Sequence, residues 1–372
     1  MSATVCLGAD CLYYPQGGHI WVYLNWALGL RKLGYQVIWL EQVEEGAPAH
    51  DTEDRFKVLR CVLEPYGLGD SIALCSHGST VPTAEPSVDI EVAVGSDVLL
   101  NLYPKMHSAT VGRFHRTALI DTDPGLLQMW VSQGHIRLAP HTVYFSMGET
   151  VGQSGAPFPD LGLKWLYTPP CVALDWWPMH EAGPDAAFTT VSHWYGDEDW
   201  IEHEGRLFRN DKRSGFLPFL ELPRCSGQAL ELALCFDTDE EREELEGCGW
   251  RVKHSYQVSH TPWDYQRYVQ CSLGEFSCAK PSCVIWQNAW ISDRTLCYLA
   301  SGKPAVVQHT GESRFLPHDA GLFRFRDLHE AVSYLELVAT DYQRQCDLAR
   351  GLAEAYFDAG VVVSRVLEFA GA

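Results

Sequence analysis

Apolar residues are distributed along this chain in two alternating ways. Short, mainly apolar runs, Thr4 to Gly8, Tyr35 to Leu40, Val98 to Leu102, Ala118 to Ile120 and Thr142 to Met147, are bounded by polar or glycine-rich turns. Such runs predict buried strands of a parallel sheet. Between them, apolar residues recur every three or four positions. Ile20, Tyr23, Leu24, Ala27 and Leu28 trace one helical face, which Gly34 ends. A second helix is expected over Asp54 to Leu63, and the Gly-, Ser-, Thr- and Pro-rich stretch from Gly67 to Ser87 is expected to form loops. Strand, glycine-rich turn, helix and strand make a βαβ unit with a right-handed crossover.

The pattern breaks from Gly152 to Asp185, where prolines and Trp165, Trp176 and Trp177 interrupt it. It then resumes. Ala187 to Ser192, Leu230 to Phe236, Trp250 to His254, Ala305 to Val307 and Leu322 to Phe325 predict strands. Helices are expected over Asp239 to Glu246, Pro262 to Cys271, Leu328 to Val338 and Tyr342 to Phe357. The expected architecture is α/β, with two Rossmann-like doubly wound domains. Residues 1–165 form the first, 166–186 a Pro/Trp-rich connection, 187–340 the second, and 341–372 C-terminal helices packing back toward the first domain.

Length agrees with that division, since 372 residues exceed one ordinary core. A formal net charge of -20 argues against nonspecific binding to nucleic acid or anionic membrane, which needs basic surface. No run approaches a membrane span, and the start, SATVCLGAD, does not read as a signal peptide. The thirteen cysteines are scattered without C-x-x-C pairs, so neither a zinc site nor a disulfide framework is expected. Buried thiols in a reducing cytoplasm are the simplest reading. The thirteen tryptophans are expected mostly in cores, with Trp194, Tyr195, Trp286 and Trp290 as candidates to stack on a base or sugar.

One stretch concentrates the chemistry: Ala289 to Gly311, AWISDRTLCYLASGKPAVVQHTG. Ser292 suits a helix N-cap, Asp293 the first turn, Gly302 the helix stop and Pro304 the break before a buried strand. The loop His309-Thr310-Gly311 then lies at that strand's carboxyl end. Helix N-termini and strand carboxyl ends are where open α/β sheets bind phosphates and other ligands. At the other end of the chain, Gln16-Gly17-Gly18-His19 follows the first strand without the G-x-G-x-x-G spacing, which disfavours a nicotinamide-dependent oxidoreductase.

The piece Thr295 to Gly311 resembles the donor-binding segment of GT-B nucleotide-sugar glycosyltransferases, where a helix ends in an Ala/Ser-Gly-x-Pro turn and the next strand leads to a sugar-contacting loop. The resemblance implies a nucleotide sugar, with UDP or dTDP as the nucleotide, held mainly by the second domain. It implies an unidentified acceptor held mainly by the first, chemistry in the cleft they face, and no cofactor or bound metal. The glutamate pair of the retaining family 4 enzymes would fall at Ala289 and Cys297, so that signature is missing. The inverting family 1 enzymes carry an early histidine and a mid-domain aspartate, and His19 and Asp121 stand in that order here.

The resemblance therefore makes His19 the base and Asp121 the residue that orients it. The alternative for His19 is packing at a helix start. Asp123 competes with Asp121 or caps a helix at Pro124, although Asp121-Thr122-Asp123 also has the letters of a D-x-D motif. Gly17, Gly18, Asp123 and Glu149 are expected on the acceptor side. The donor-side candidates are Lys212, Arg213 and Lys280 for the leaving diphosphate, and Ser292, Asp293, Arg294 and Thr295 at the helix start. Gln308, His309, Thr310, Gly311 and Glu312 are expected against the sugar. Ordinary capping and solvated surface charge are the alternatives. A sugar-nucleotide 2-epimerase of the same architecture and a non-catalytic sugar-nucleotide or glycan-binding protein remain competing readings.

Overall fold

The computed structural model describes residues 3–195, 200–236, 238–317 and 319–371. The chain forms two compact units, Met1–Ala173 with Asp358–Ala372, and Leu174–Phe357. The division falls inside the expected connection. Helix Tyr342–Tyr356 belongs to the second unit and helix Ala359–Ala370 to the first.

The first unit holds eight strands: β1 (Thr4–Ala9), β2 (Gln36–Gln42), β3 (Ile72–Ser76), β4 (Ser79–Thr80), β5 (Val98–Asn101), β6 (Thr117–Asp121), β7 (Val143–Ser146) and β8 (Trp165–Tyr167). They form one sheet in the order β4-β3-β2-β1-β5-β6-β7-β8. All pairings are parallel except the β3–β4 hairpin. Val5 sits in register with Val37 on one side and Val98 on the other. The sheet order reverses there, so the carboxyl ends of β1 and β5 flank a topological switch point.

Strand β3 lies in the stretch expected to be loops. Its apolar run, Ile72 to Cys75, is only four residues long between polar turns, and pairing with β2 decides its state. The first helix runs over Gly17–Lys32 and is buried on most sides. Its outer face is covered by helix Ala359–Ala370, which explains how one helix can be apolar nearly all round. The two approach closely at Gly29, where a Cβ would lie 2.9 Å from the Ala359 carbonyl oxygen.

The second unit holds β9 (Phe188–His193), β10 (Trp200–His203), β11 (Arg206–Arg209), β12 (Leu230–Cys235), β13 (Arg251–His254), β14 (Gly274–Ser277), β15 (Ala305–Gln308) and β16 (Leu322–Phe325). Its parallel sheet runs β13-β12-β9-β14-β15-β16, and β10–β11 is a separate hairpin. Phe216, Phe276, Phe325 and Trp250 build the centre of its core. Phe276 stacks on Phe325 with ring centres 5.2 Å apart. Here the switch point lies between β9 and β14. Among the described residues, no helix is long and apolar enough to cross a membrane.

Candidate functional site

In the first unit, β1 delivers Asp10 to the switch point, and the turn that follows leads into the Gly17–Lys32 helix, whose N-terminus has no side-chain cap. His19 lies in the first turn of that helix. Its Nε2 is 2.6 Å from the Asp10 carbonyl oxygen, so Nε2 carries the proton and donates it, leaving Nδ1 as the acceptor. The ring is also held edge-on by Tyr23, with centres 5.2 Å apart.

The turn is pinned from below by Glu41 at the end of β2. Its buried carboxylate accepts from Cys11 N at 3.0 Å, Leu12 N at 3.2 Å and Trp39 Nε1 at 2.7 Å. Burial pushes the Glu41 carboxyl up to about 7, against the pull of those hydrogen bonds. Glu41 thus fixes the backbone that presents the Asp10 carbonyl to His19.

Asp121 is fully buried at the end of β6. It accepts from Gln128 Nε2 at 2.9 Å, Ser146 Oγ at 2.8 Å and Asp123 N at 3.0 Å. None of these bonds goes to His19, so the expected Asp121–His19 relay is not formed. Chain order had placed the pair correctly along the sequence, but the β6 carboxylate is consumed in knitting its own turn to the next helix and to β7. Burial raises its carboxyl to about 6. The orienting acceptor for His19 is a backbone carbonyl.

In the second unit, β9 and β14 pair only at Phe188–Gly274 and Thr189–Glu275, then part. Arg294 fills the opening. Its Nε donates to Glu275 Oε1 at 2.8 Å and its Nη1 to the Val191 carbonyl at 3.0 Å. This guanidinium is committed to the sheet, which departs from the diphosphate contact expected of it. Arg213 is likewise drawn off: it pairs with Glu241 at 3.5 Å and Glu244 at 4.0 Å on the acidic helix Asp239–Gly247.

Lys212 differs. Its stem is partly exposed, but Nζ is walled in, donating to the Cys278 carbonyl at 2.7 Å and lying 5.8 Å from the Trp290 ring centre. Burial, reinforced by Arg294, lowers its ammonium to about 7. Nearby buried donors Asn210 Nδ2 and Trp290 Nε1 have no hydrogen-bond partner among the described residues. Lys280 precedes the short helix Pro281–Trp286.

Ser292 caps helix Asp293–Ala300, its Oγ accepting from Arg294 N at 3.3 Å, with Asp293 in the first turn and Thr295 buried. The segment before it is unusual: Gln287 and Ala289 have φ of 48° and 55°, in the left-handed region, flanking the buried Asn288. It is bonded to the loop after β15. Ala289 N donates to the Thr310 carbonyl at 2.8 Å and Thr310 Oγ1 to the Trp290 carbonyl at 2.6 Å. Gly311 is needed in that loop, because at φ 132° a Cβ would lie 2.7 Å from the Gln287 carbonyl oxygen.

Gln308 Oε1 accepts from Ala279 N at 3.0 Å, tying β15 to the β14 turn. His309 is buried. Its Nδ1 accepts from Gly311 N at 3.2 Å, and its Nε2 lies 3.0 Å from Arg326 Nη2 and 3.2 Å from Glu312 Oε1. Glu312 also takes Arg326 Nη2 at 2.7 Å.

No protein-family model matches the chain, and no curated protein matches it in sequence. Solved structures do. The Anabaena HepE protein in complex with UDP is similar over 100% of both chains, at 12% identity and a TM-score of 0.59. An alpha-glucosyltransferase in complex with UDP and a 13-mer DNA is similar over 100% of both chains, at 12% identity and a TM-score of 0.62. A glycosyltransferase from Rickettsia africae is similar over 99% of this chain and 98% of its own, at 9% identity and 0.52. The chain has the GT-B fold.

On that fold the candidate residues fall into two sets. Gly17, Gly18 and His19, in the first turn of the Gly17–Lys32 helix, and Asp123 and the buried Glu149, in turns, sit at the carboxyl end of the first sheet. Lys212, Lys280, Ser292 and the Gln308–Glu312 loop sit at the carboxyl end of the GT-B second sheet. Asp10, Glu41, Asn210, Asn288 and Arg326 were missed. Asp10 had a sequence signal, as the first polar residue after the first apolar run. Glu41, Asn210 and Arg326 have none, because partners elsewhere in the sequence give them their roles, and Asn288 is set by its bond to Trp290 N two residues on.

Proposed function

We propose that this chain is a glycosyltransferase that moves a sugar from a nucleotide-sugar donor, UDP- or dTDP-linked, to an acceptor hydroxyl. The observation that carries the reading is the cluster of the second unit around Lys212. There a lysine whose walled-in ammonium is lowered by burial to about 7 lies beside buried Asn210 and Trp290 donors that lack partners among the described residues, next to a capped helix start and a loop with left-handed residues. A diphosphate would charge Lys212 and supply the missing acceptors. The full-length similarity to proteins solved with UDP and UDP-glucose supports the same assignment.

His19 is the base in this reading. With Nε2 held by the Asp10 carbonyl, Nδ1 takes the acceptor hydroxyl's proton as that oxygen attacks the anomeric carbon and the diphosphate departs. Lys212 stabilises the charge developing on the leaving group. The transfer inverts the anomeric configuration and uses no metal.

The test is incubation with a panel of nucleotide sugars, following nucleoside diphosphate release and the anomeric configuration of the product by NMR. Acceptor-dependent release of UDP or dTDP with a β-linked product from an α-linked donor is expected. An α-linked product overturns inversion. Epimerised nucleotide sugar without acceptor overturns transfer itself.

A further inference from the structure

We propose that the first unit takes an uncharged polyhydroxy acceptor, a carbohydrate or other polyol, and that the Asp10 carboxylate holds its hydroxyls. This rests on the glycosyltransferase reading and adds the acceptor's chemical class and a residue that selects it.

Asp10 directly follows β1 at the switch point, and its backbone carbonyl is taken by His19. Its carboxylate is half-buried and makes no hydrogen bond among the described residues. Burial raises its pKa, while His19 and Lys105 pull it down and Glu44 pushes it up. A half-buried carboxylate with no protein donor can accept charge-assisted hydrogen bonds from hydroxyl groups. It also lies on the residue next to the base, since the Asp10 backbone carbonyl holds His19 Nε2.

The surroundings fit a sugar better than a polyanion. Tyr14 is 57% exposed and its ring meets the His19 ring edge-on at 6.3 Å, presenting an aromatic face beside the base. The loops at the carboxyl ends of these parallel strands carry Asp10, Glu44, Glu45, Asp123 and Glu149, against Lys105. Arg55, in the helix Ala49–Leu63 that follows β2, is held over the Tyr13 ring at 5.2 Å. Phosphate backbones are bound through clustered cations, and this end of the sheet has the opposite balance.

The test uses the full chain with whichever nucleotide sugar it consumes. Three acceptor probes are compared: neutral glycosides, heparin oligosaccharides, and a DNA duplex carrying a hydroxymethylated base. Transfer to neutral glycosides alone is expected. Asp10→Asn should lower acceptor kcat/KM about ten- to hundred-fold, the size of one charge-assisted hydrogen bond, with UDP affinity retained. Tyr14→Ala, at an exposed position, should raise acceptor KM without loss of folding. Transfer to DNA or heparin, donor consumption with no transfer to any neutral polyol, or unchanged kcat/KM in Asp10→Asn each overturns the inference. If no nucleotide sugar is bound or consumed, the glycosyltransferase reading falls first.

Discussion

Arg294 and Glu275 form a 2.8 Å ion pair where β9 and β14 part, with the Glu275 side chain fully buried. The arginine replaces the ladder hydrogen bonds that the two strands stop making, and so holds the switch point open. Glu275→Gln or Arg294→Met leaves a buried charge unpaired and should destabilise the second unit by about 3–5 kcal/mol. The measurement is the denaturant transition of that unit, followed separately because a two-unit chain need not unfold in one step. An unchanged transition would show that the pair is dispensable.

His19→Ala should lower transfer kcat by about 10²- to 10⁴-fold, the usual range for a general base, while UDP affinity is unchanged. Steady-state kinetics beside calorimetric titration with UDP separates the two. A variant with full activity would remove His19 from the chemistry.

Lys212 couples the site to pH in two opposite directions. The unfolded chain keeps this proton up to the ordinary 10.5, and the folded protein releases it near 7. Between those values folding releases a proton, so the Lys212 contribution to stability improves as pH rises. Diphosphate binding recharges the amine, so its contribution to UDP affinity weakens as pH rises past 7. Lys212→Met should lower UDP affinity and remove that component of the slope, read by titration calorimetry below and above neutrality.

Asp121→Asn sets a donor against Gln128 Nε2 and should cost about 1–3 kcal/mol of stability. Activity of the folded variant should change less than about ten-fold, whereas an aspartate orienting the base is worth on the order of 10⁴. In the wild-type protein, the Asp121 contribution to stability falls as pH rises from 3.8 to about 6, because the folded state holds a proton the unfolded chain has released. A loss of activity far beyond the loss of folded protein would restore the relay.

Gly311→Ala forces a Cβ against the Gln287 carbonyl and should displace the loop bonded to Thr310. Reduced nucleotide-sugar affinity with a stability loss of about 1–3 kcal/mol is expected, checked by calorimetry and thermal unfolding.

Elements with strong periodicity were legible in the sequence. β1, β2, β12, the Asp293–Ala300 helix and its glycine stop follow from local rules, because burial and capping are encoded within a few residues. β3, β8 and the β10–β11 hairpin escaped, since distant pairing decides each. The site divided the same way. The Ser292 cap and the Gly311 turn could be read from neighbours, but nothing near Arg294 in sequence announces Glu275 or Val191. Asp121 shows the limit from the other side: residue type and chain order matched a base–aspartate pair, and the hydrogen bonds went elsewhere.

The helix Ala359–Ala370 covers the first helix of the chain across most of the sequence. During synthesis, the second unit is continuous from Leu174 to Phe357 and can close its core as soon as it emerges. The first unit cannot. Trp21, Trp26 and Gly29 belong to a helix whose outer face waits for residues made more than three hundred positions later. The first unit is thus completed only after the second has been made, with apolar helix surface open until then.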